Sequence, residues 1–165
     1  MIYAGQRMTV GDLLAEAHAA PPPSSEQHAH ISLRHTAAGN ASACAALIAQ
    51  GDDLDQLWRY IILQSLDDYA STLRRGGPRL AAHFFDDEPA PTGSPHIDAA
   101  LAALADHLAT RDAWTIPAWA HDPSRTVDAW YPDVPAHARL AARTQSPPAF
   151  RRRGIYLTSR SLERA

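Results

Sequence analysis

The chain has 165 residues, a formal net charge of −3, 15 basic residues that are all Arg, nine His and a single Cys. That length suits one ordinary domain, or one domain with tails, able to fold without staples; the lone Cys44 excludes an internal disulfide and implies a reducing compartment. No apolar run reaches the roughly 20 residues of a membrane span, and the N-terminus lacks the pattern of a signal peptide, so a cytoplasmic protein is expected.

Residues 1–138 hold 8 Arg against 17 Asp or Glu, a balance of −9, whereas residues 139–165 hold 7 Arg against Glu163 alone, a balance of +6. A basic tail on an acidic body attracts phosphates or carboxylates and can also fold back on that body. Arg without Lys, together with abundant Ala, fits a GC-rich bacterial genome.

In chain order, Thr9 caps a short helix through Ala20, with Val10, Leu13, Leu14 and Ala17 as its apolar stripe. Pro21-Pro22-Pro23-Ser24-Ser25 stops it, which makes residues 1–27 a helical arm with a Pro-rich linker. A helical core is expected over residues 28–112. Gly39-Asn40 interrupts the pattern, and Ala41 to Gln50 reads as a helix closed by Gly51. Asp52 or Asp53 then caps the strongest element, taken as the central core helix, running to about Arg75 with Leu54, Leu57, Trp58, Ile61, Leu66, Tyr69 and Leu73 as its stripe. Gly76-Gly77-Pro78 ends it. Pro78 to Phe85 forms a short helix and Asp86 to Ser94 a surface loop. Ser94 and Pro95 open a helix to about Arg111 whose stripe is Ile97, Leu101, Leu104 and Leu108. Leu57, Trp58, Ile61, Leu101, Leu104 and Leu108 are expected in one core.

Residues 113–165 form an aromatic, Pro-rich and Arg-rich segment packed on that core. Trp114, Trp119, Trp130 and Tyr131 lie among Pro117, Pro123, Pro132 and Pro135, which excludes long helices and favours short turns packed by aromatics. Pro135 to Arg143 reads as helical, Ser146-Pro147 begins a turn through Arg153 capped by Gly154, and Ile155 to Leu157 is extended. The expected fold is all-α, a compact helical bundle with a short-helix C-terminal region.

No Gly-rich phosphate loop, nucleophile elbow or paired-His metal helix is present, so no catalytic residue, cofactor or metal is assigned. His28, His30 and His35 form a local cluster that matches no familiar zinc spacing. Asp52-Asp53, Asp67-Asp68 and Asp86-Asp87-Glu88 read as a cap, a solvated face and a surface loop. The most unusual segment is Ser146-Pro147-Pro148-Ala149-Phe150-Arg151-Arg152-Arg153-Gly154. Three consecutive Arg on a short helix cannot share one face, so some point away from the body. They read either as a solvated turn anchored by Phe150, Ile155 and Leu157 or as a guanidinium fork for phosphates or carboxylates.

Asp122-Pro123-Ser124-Arg125, Trp130-Tyr131-Pro132, the segment from Ser146 to Tyr156 and the closing Leu162-Glu163-Arg164-Ala165 together resemble the C-terminal part of a group of actinobacterial antitoxin-like proteins encoded beside nucleotidyltransferase-fold toxins. The resemblance covers about the last 45 residues. It implies a helical, non-enzymatic antitoxin or regulatory partner that neutralises a nucleotidyltransferase-type toxin by protein contact. The Arg-rich tail would occupy the toxin's metal and phosphate pocket, and Trp119, Trp130, Tyr131, Phe150, Arg151, Arg152, Arg153 and Tyr156 would be the contact residues. The alternative is a nucleic-acid-binding transcriptional regulator using the same Arg cluster, for which a body at −9 is an electrostatic handicap.

Overall fold

A computed structural model describes residue 33 and residues 35–162 of the chain, all within one compact unit, Leu33–Ala165. The expected Thr9 helix, the Pro-rich linker, His28 and His30 lie outside the described residues. The described residues are all-α; their extended pairing is an isolated parallel bridge between Trp130 and Ile155.

Helix α1 spans Ala37–Gln50. It begins before Gly39-Asn40 rather than after them, because the Thr36 side chain accepts from the Gly39 amide at 3.1 Å and caps the first turn. Asn40 sits inside the helix and donates to Ser65 and to Asp68, each at 3.1 Å, so a residue that breaks isolated helices here ties α1 to a neighbour. Gly51 closes the helix in the left-handed region, with φ 90°.

Asp53 caps the next helix, which is continuous but not uniform: α2 (Leu54–Trp58) passes through a π turn (Arg59–Leu63) into α3 (Gln64–Ala82). The apolar stripe has one five-residue step, from Ile61 to Leu66, and it falls at this turn, where one extra residue widens the helix. The insertion keeps Trp58, Ile61 and Ile62 buried together with Leu66 and Tyr69. Gly77, at φ 72° and ψ −173°, kinks α3 just before Pro78, and the last turn of α3 is the short helix expected there.

Helix α4 (Pro95–Asp112) is the true centre of the fold. Its stripe of Ile97, Leu101, Leu104 and Leu108 is wholly buried, and so are Ala99, Ala100, Ala102, Ala103 and Ala105 between them. This corrects the reading of the Asp53 helix as central. Alanine on the remaining faces lets neighbours close in from every side, whereas Arg59, Tyr60 and Gln64 keep one side of the α2–α3 helix exposed. Leu57, Trp58, Ile61, Leu101, Leu104 and Leu108 do belong to one core. The C-terminal end of α4 is pinned to α3, with Tyr69 donating to Asp112 at 2.6 Å and the Trp114 indole donating to the Tyr69 oxygen at 2.9 Å.

Beyond α4 the chain makes 3₁₀ turns at Ala118–His121 and Ala136–Ala138, then α5 (Arg139–Gln145) and α6 (Pro148–Arg151). Proline at the start of each 3₁₀ turn supplies the extended φ, near −65°, that admits the chain. No helix among the described residues is long and apolar enough to cross a membrane.

Candidate interaction surface

The C-terminal segment has an inner seam and an outer face. At the seam, the run Arg151-Arg152-Arg153 divides. Arg153 turns inward and is 6% exposed; it donates to Asp106 of α4 at 2.8 Å, to the Ala149 carbonyl at 2.8 Å and to the Ala120 carbonyl. Arg152 reaches the same Asp106 oxygen at 2.7 Å from the edge, its side chain still 59% exposed. Burial alone would raise the Asp106 carboxyl, but hydrogen bonds and charge from Arg153 and Arg152 outweigh it and hold the group below the usual carboxylate range. Ionised Asp106 is therefore the anchor that draws one arginine of the three into the interior.

Backbone contacts fasten the same seam. Val127 donates to the Arg153 carbonyl at 3.0 Å, Trp130 to the Gly154 carbonyl at 2.9 Å and Tyr156 to the Trp130 carbonyl at 2.8 Å. Gly154 is required here: its φ is 76°, and a Cβ would lie 1.9 Å from the Val127 oxygen. Ser146 Oγ donates to the Ile155 carbonyl and accepts from the Leu157 amide, holding the extended exit segment. Arg125, also buried, lies over the Trp119 ring at 5.2 Å and donates to Glu88 at 3.0 Å and to the Pro89 carbonyl at 2.9 Å.

The outer face is built differently. Tyr131 and Tyr156 stack at 5.1 Å, brought together because the Trp130–Ile155 bridge sets their neighbours side by side. Arg139 lies 5.2 Å from the Tyr131 centroid, and Arg143 lies over both rings while donating through Nε to the Tyr131 hydroxyl. Neither Arg139 nor Arg143 has a carboxylate partner among the described residues. Leu140, between them in sequence, is 79% exposed, and the buried residue of α5 is Ala142. Arg59 is matched by Asp133 at 2.6 Å.

The eight contact residues expected from sequence therefore fall into three sets. Phe150, Trp119 and Arg153 are interior: Phe150 packs edge-on against Trp58, and the Trp119 indole donates to the Phe85 carbonyl at 3.0 Å. Their apolar area and hydrogen-bonding groups are already engaged within the chain. Trp130 is half-buried, edge-on to Trp58 at 5.5 Å and to His96 at 5.0 Å. Tyr131 and Tyr156 are half-buried in the same way, and Arg151 and Arg152 are exposed. Sequence reading missed Asp106, Arg139, Arg143 and Leu140. The first was signalled by a single acid amid the apolar run of α4, and the others by a short helix too polar to be buried.

Candidate chemistry elsewhere is sparse. Among the described residues no group of three His, Cys, Asp or Glu converges as metal ligands, and His35 is exposed. The Cys44 thiol is buried and pushed up to about 11, chiefly by burial, with Asp98 and Asp52 adding to it, so it is protonated and poorly nucleophilic. A cleft of about 730 Å³ is lined by Phe85, Trp114, Ile116 and Trp119 with Asp86, Glu88 and His121. Its acids are committed, Asp86 to His83 and Glu88 to Arg125. The chain matches no protein-family model, no curated protein and no solved structure.

Proposed function

We propose that this protein is a non-enzymatic, antitoxin-like regulatory partner that binds and neutralises a nucleotidyltransferase-type toxin through its C-terminal segment. The observation that supports the reading is the division of arginines in that segment. Arg153 secures the backbone to α4, while Arg151, Arg152, Arg139 and Arg143 are left exposed on a segment held by buried contacts. Basic groups on a pre-ordered scaffold lose less conformational entropy on binding than groups on a loose tail. Guanidinium groups match the clustered carboxylates and nucleotide phosphates that such an enzyme presents.

The test is co-expression with a nucleotidyltransferase-fold enzyme encoded beside this gene, followed by size-exclusion chromatography and an assay of nucleotide transfer. The expected outcome is a stable complex and suppressed transfer, with Arg151→Ala/Arg152→Ala weakening suppression. Failure of the two proteins to associate at micromolar concentrations, together with undiminished transfer, would overturn the reading. Retarded migration of duplex DNA by the chain alone at low salt would favour the transcriptional-regulator alternative.

A further inference from the structure

We infer that the α5 face formed by Arg139, Leu140 and Arg143 over the Tyr131–Tyr156 stack is a docking site for an acidic, amphipathic helix of a protein partner. This rests on the binding-partner reading above and adds the chemistry of what is bound. In a helix, residues four apart lie above one another and residues three apart are neighbours, so Arg139 and Arg143 form one row and Leu140 flanks it next to Arg143. The three side chains occupy one side of α5, while Ala142 faces the interior.

Three observations define the occupant. The two guanidinium groups have no carboxylate partner among the described residues, although acids outnumber basic residues 17 to 8 over the first 138 residues. The tyrosines fix where those groups sit: Arg143 is hydrogen-bonded to Tyr131 and both arginines lie over its ring, which limits the rotamer freedom lost when a carboxylate arrives. Leu140, 79% exposed beside them, gains from apolar cover that a sugar-phosphate backbone does not provide. An oligonucleotide fits less well for a further reason. Tyr131 already carries Tyr156 against its ring and two guanidiniums over it, so stacking a base there requires displacing one of them. Glu residues four apart on a partner helix, beside an aliphatic residue, satisfy all three demands.

The probe is a fluorescent, capped helical peptide of about 14 residues with Glu pairs four apart flanking a Leu stripe. Controls are the same peptide with Gln for Glu and an oligothymidylate of equal charge, each titrated with the full-length chain in low salt. The Glu peptide is expected to bind, and Leu140→Glu or Arg139→Ala/Arg143→Ala to weaken it about tenfold. Arg74→Ala, an exposed arginine on α3, should leave it unchanged. Circular dichroism confirms that each variant keeps its fold. Equal binding of the Gln peptide, tighter binding of the oligothymidylate, or indifference to the α5 variants overturns the inference. The same α5 variants tested against the co-expressed enzyme separate the two readings. Loss of peptide binding with no enzyme complex in the wild type leaves the docking face standing and removes the toxin. A wild-type enzyme complex unaffected by the α5 variants does the reverse.

Discussion

The inner seam and the outer face of the C-terminal segment use the same residue types for opposite ends. At the seam, Arg153 and Arg125 are buried; Asp106 and Glu88 meet their charges and backbone carbonyls accept further bonds from each, while Arg125 Nη1 has no partner among the described residues. On the outer face, Arg139 and Arg143 rest on tyrosine rings, exposed and with no carboxylate partner among the described residues. Neither burial nor function is a property of arginine itself: Arg152 and Arg59 also meet an acid yet stay exposed, whereas Arg153 and Arg125, which go inside, find backbone carbonyls as well as an acid. Arg151, Arg152 and Arg153 are identical in sequence terms, and only the register of α6 against Asp106 sorts them.

The largest effect should come from cutting the seam. Asp106→Ala leaves Arg153 as a buried, unpaired charge and is expected to cost about 3 to 5 kcal/mol in reversible denaturation. If the loss is no greater than for Arg143→Ala, the seam and the face are not different in kind. Leu104→Ala, a cavity at the centre of α4, should cost about 2 to 5 kcal/mol; a loss below about 0.5 kcal/mol would show that α4 is not the core.

Acid should sharpen the contrast at intermediate scale. His107 is held below its usual range chiefly by burial and then by Arg111, so it is neutral when folded. The unfolded chain takes up that proton first, and stability should start to fall as pH drops below about 6.5. Asp106, also depressed when folded, contributes stability that is present above about pH 4 and lost as pH falls through its lower folded value. Denaturation midpoints measured across this range should show two declining steps. Asp106→Asn should shrink the lower one, which Asp112, also depressed chiefly by its hydrogen bond from Arg111, shares; an unchanged lower step would show that Asp106 does not contribute to it. The smallest effect belongs to the face: Arg139→Ala/Arg143→Ala should leave the thermal midpoint unchanged within error while altering binding, since exposed charges contribute little to stability.

Helix stripes were legible in the sequence because burial on one side leaves a period. Leu57, Trp58 and Ile61 on one helix and Leu101, Leu104 and Leu108 on the other met in one core as their spacing implies. The role of α4 was not legible, because alanine is equally at home on a buried face and an exposed one, and five of them between Ile97 and Leu108 carry no sign of which. The start of α1 was hidden by Gly39-Asn40, whose helix-breaking tendency is overridden by the Thr36 cap and by the long-range bonds of Asn40. The sorting of the three arginines was unreadable for a similar reason: the deciding partner, Asp106, lies 47 residues before Arg153 in the chain.

The alanines of α4 have a genetic consequence as well. Ala99, Ala100, Ala102, Ala103 and Ala105 are each fully enclosed, and a single-base change in an alanine codon yields Val, Thr, Ser, Pro, Asp, Glu or Gly. None of these is both as small and as favourable in a helix as the residue it replaces. Silent third-position changes aside, the middle of this protein has almost no neutral neighbours one nucleotide away. Drift should therefore be filtered hardest along a stretch whose composition looks the least selected, and a saturation library read out by folding would show α4 as a band of intolerance flanked by permissive surface.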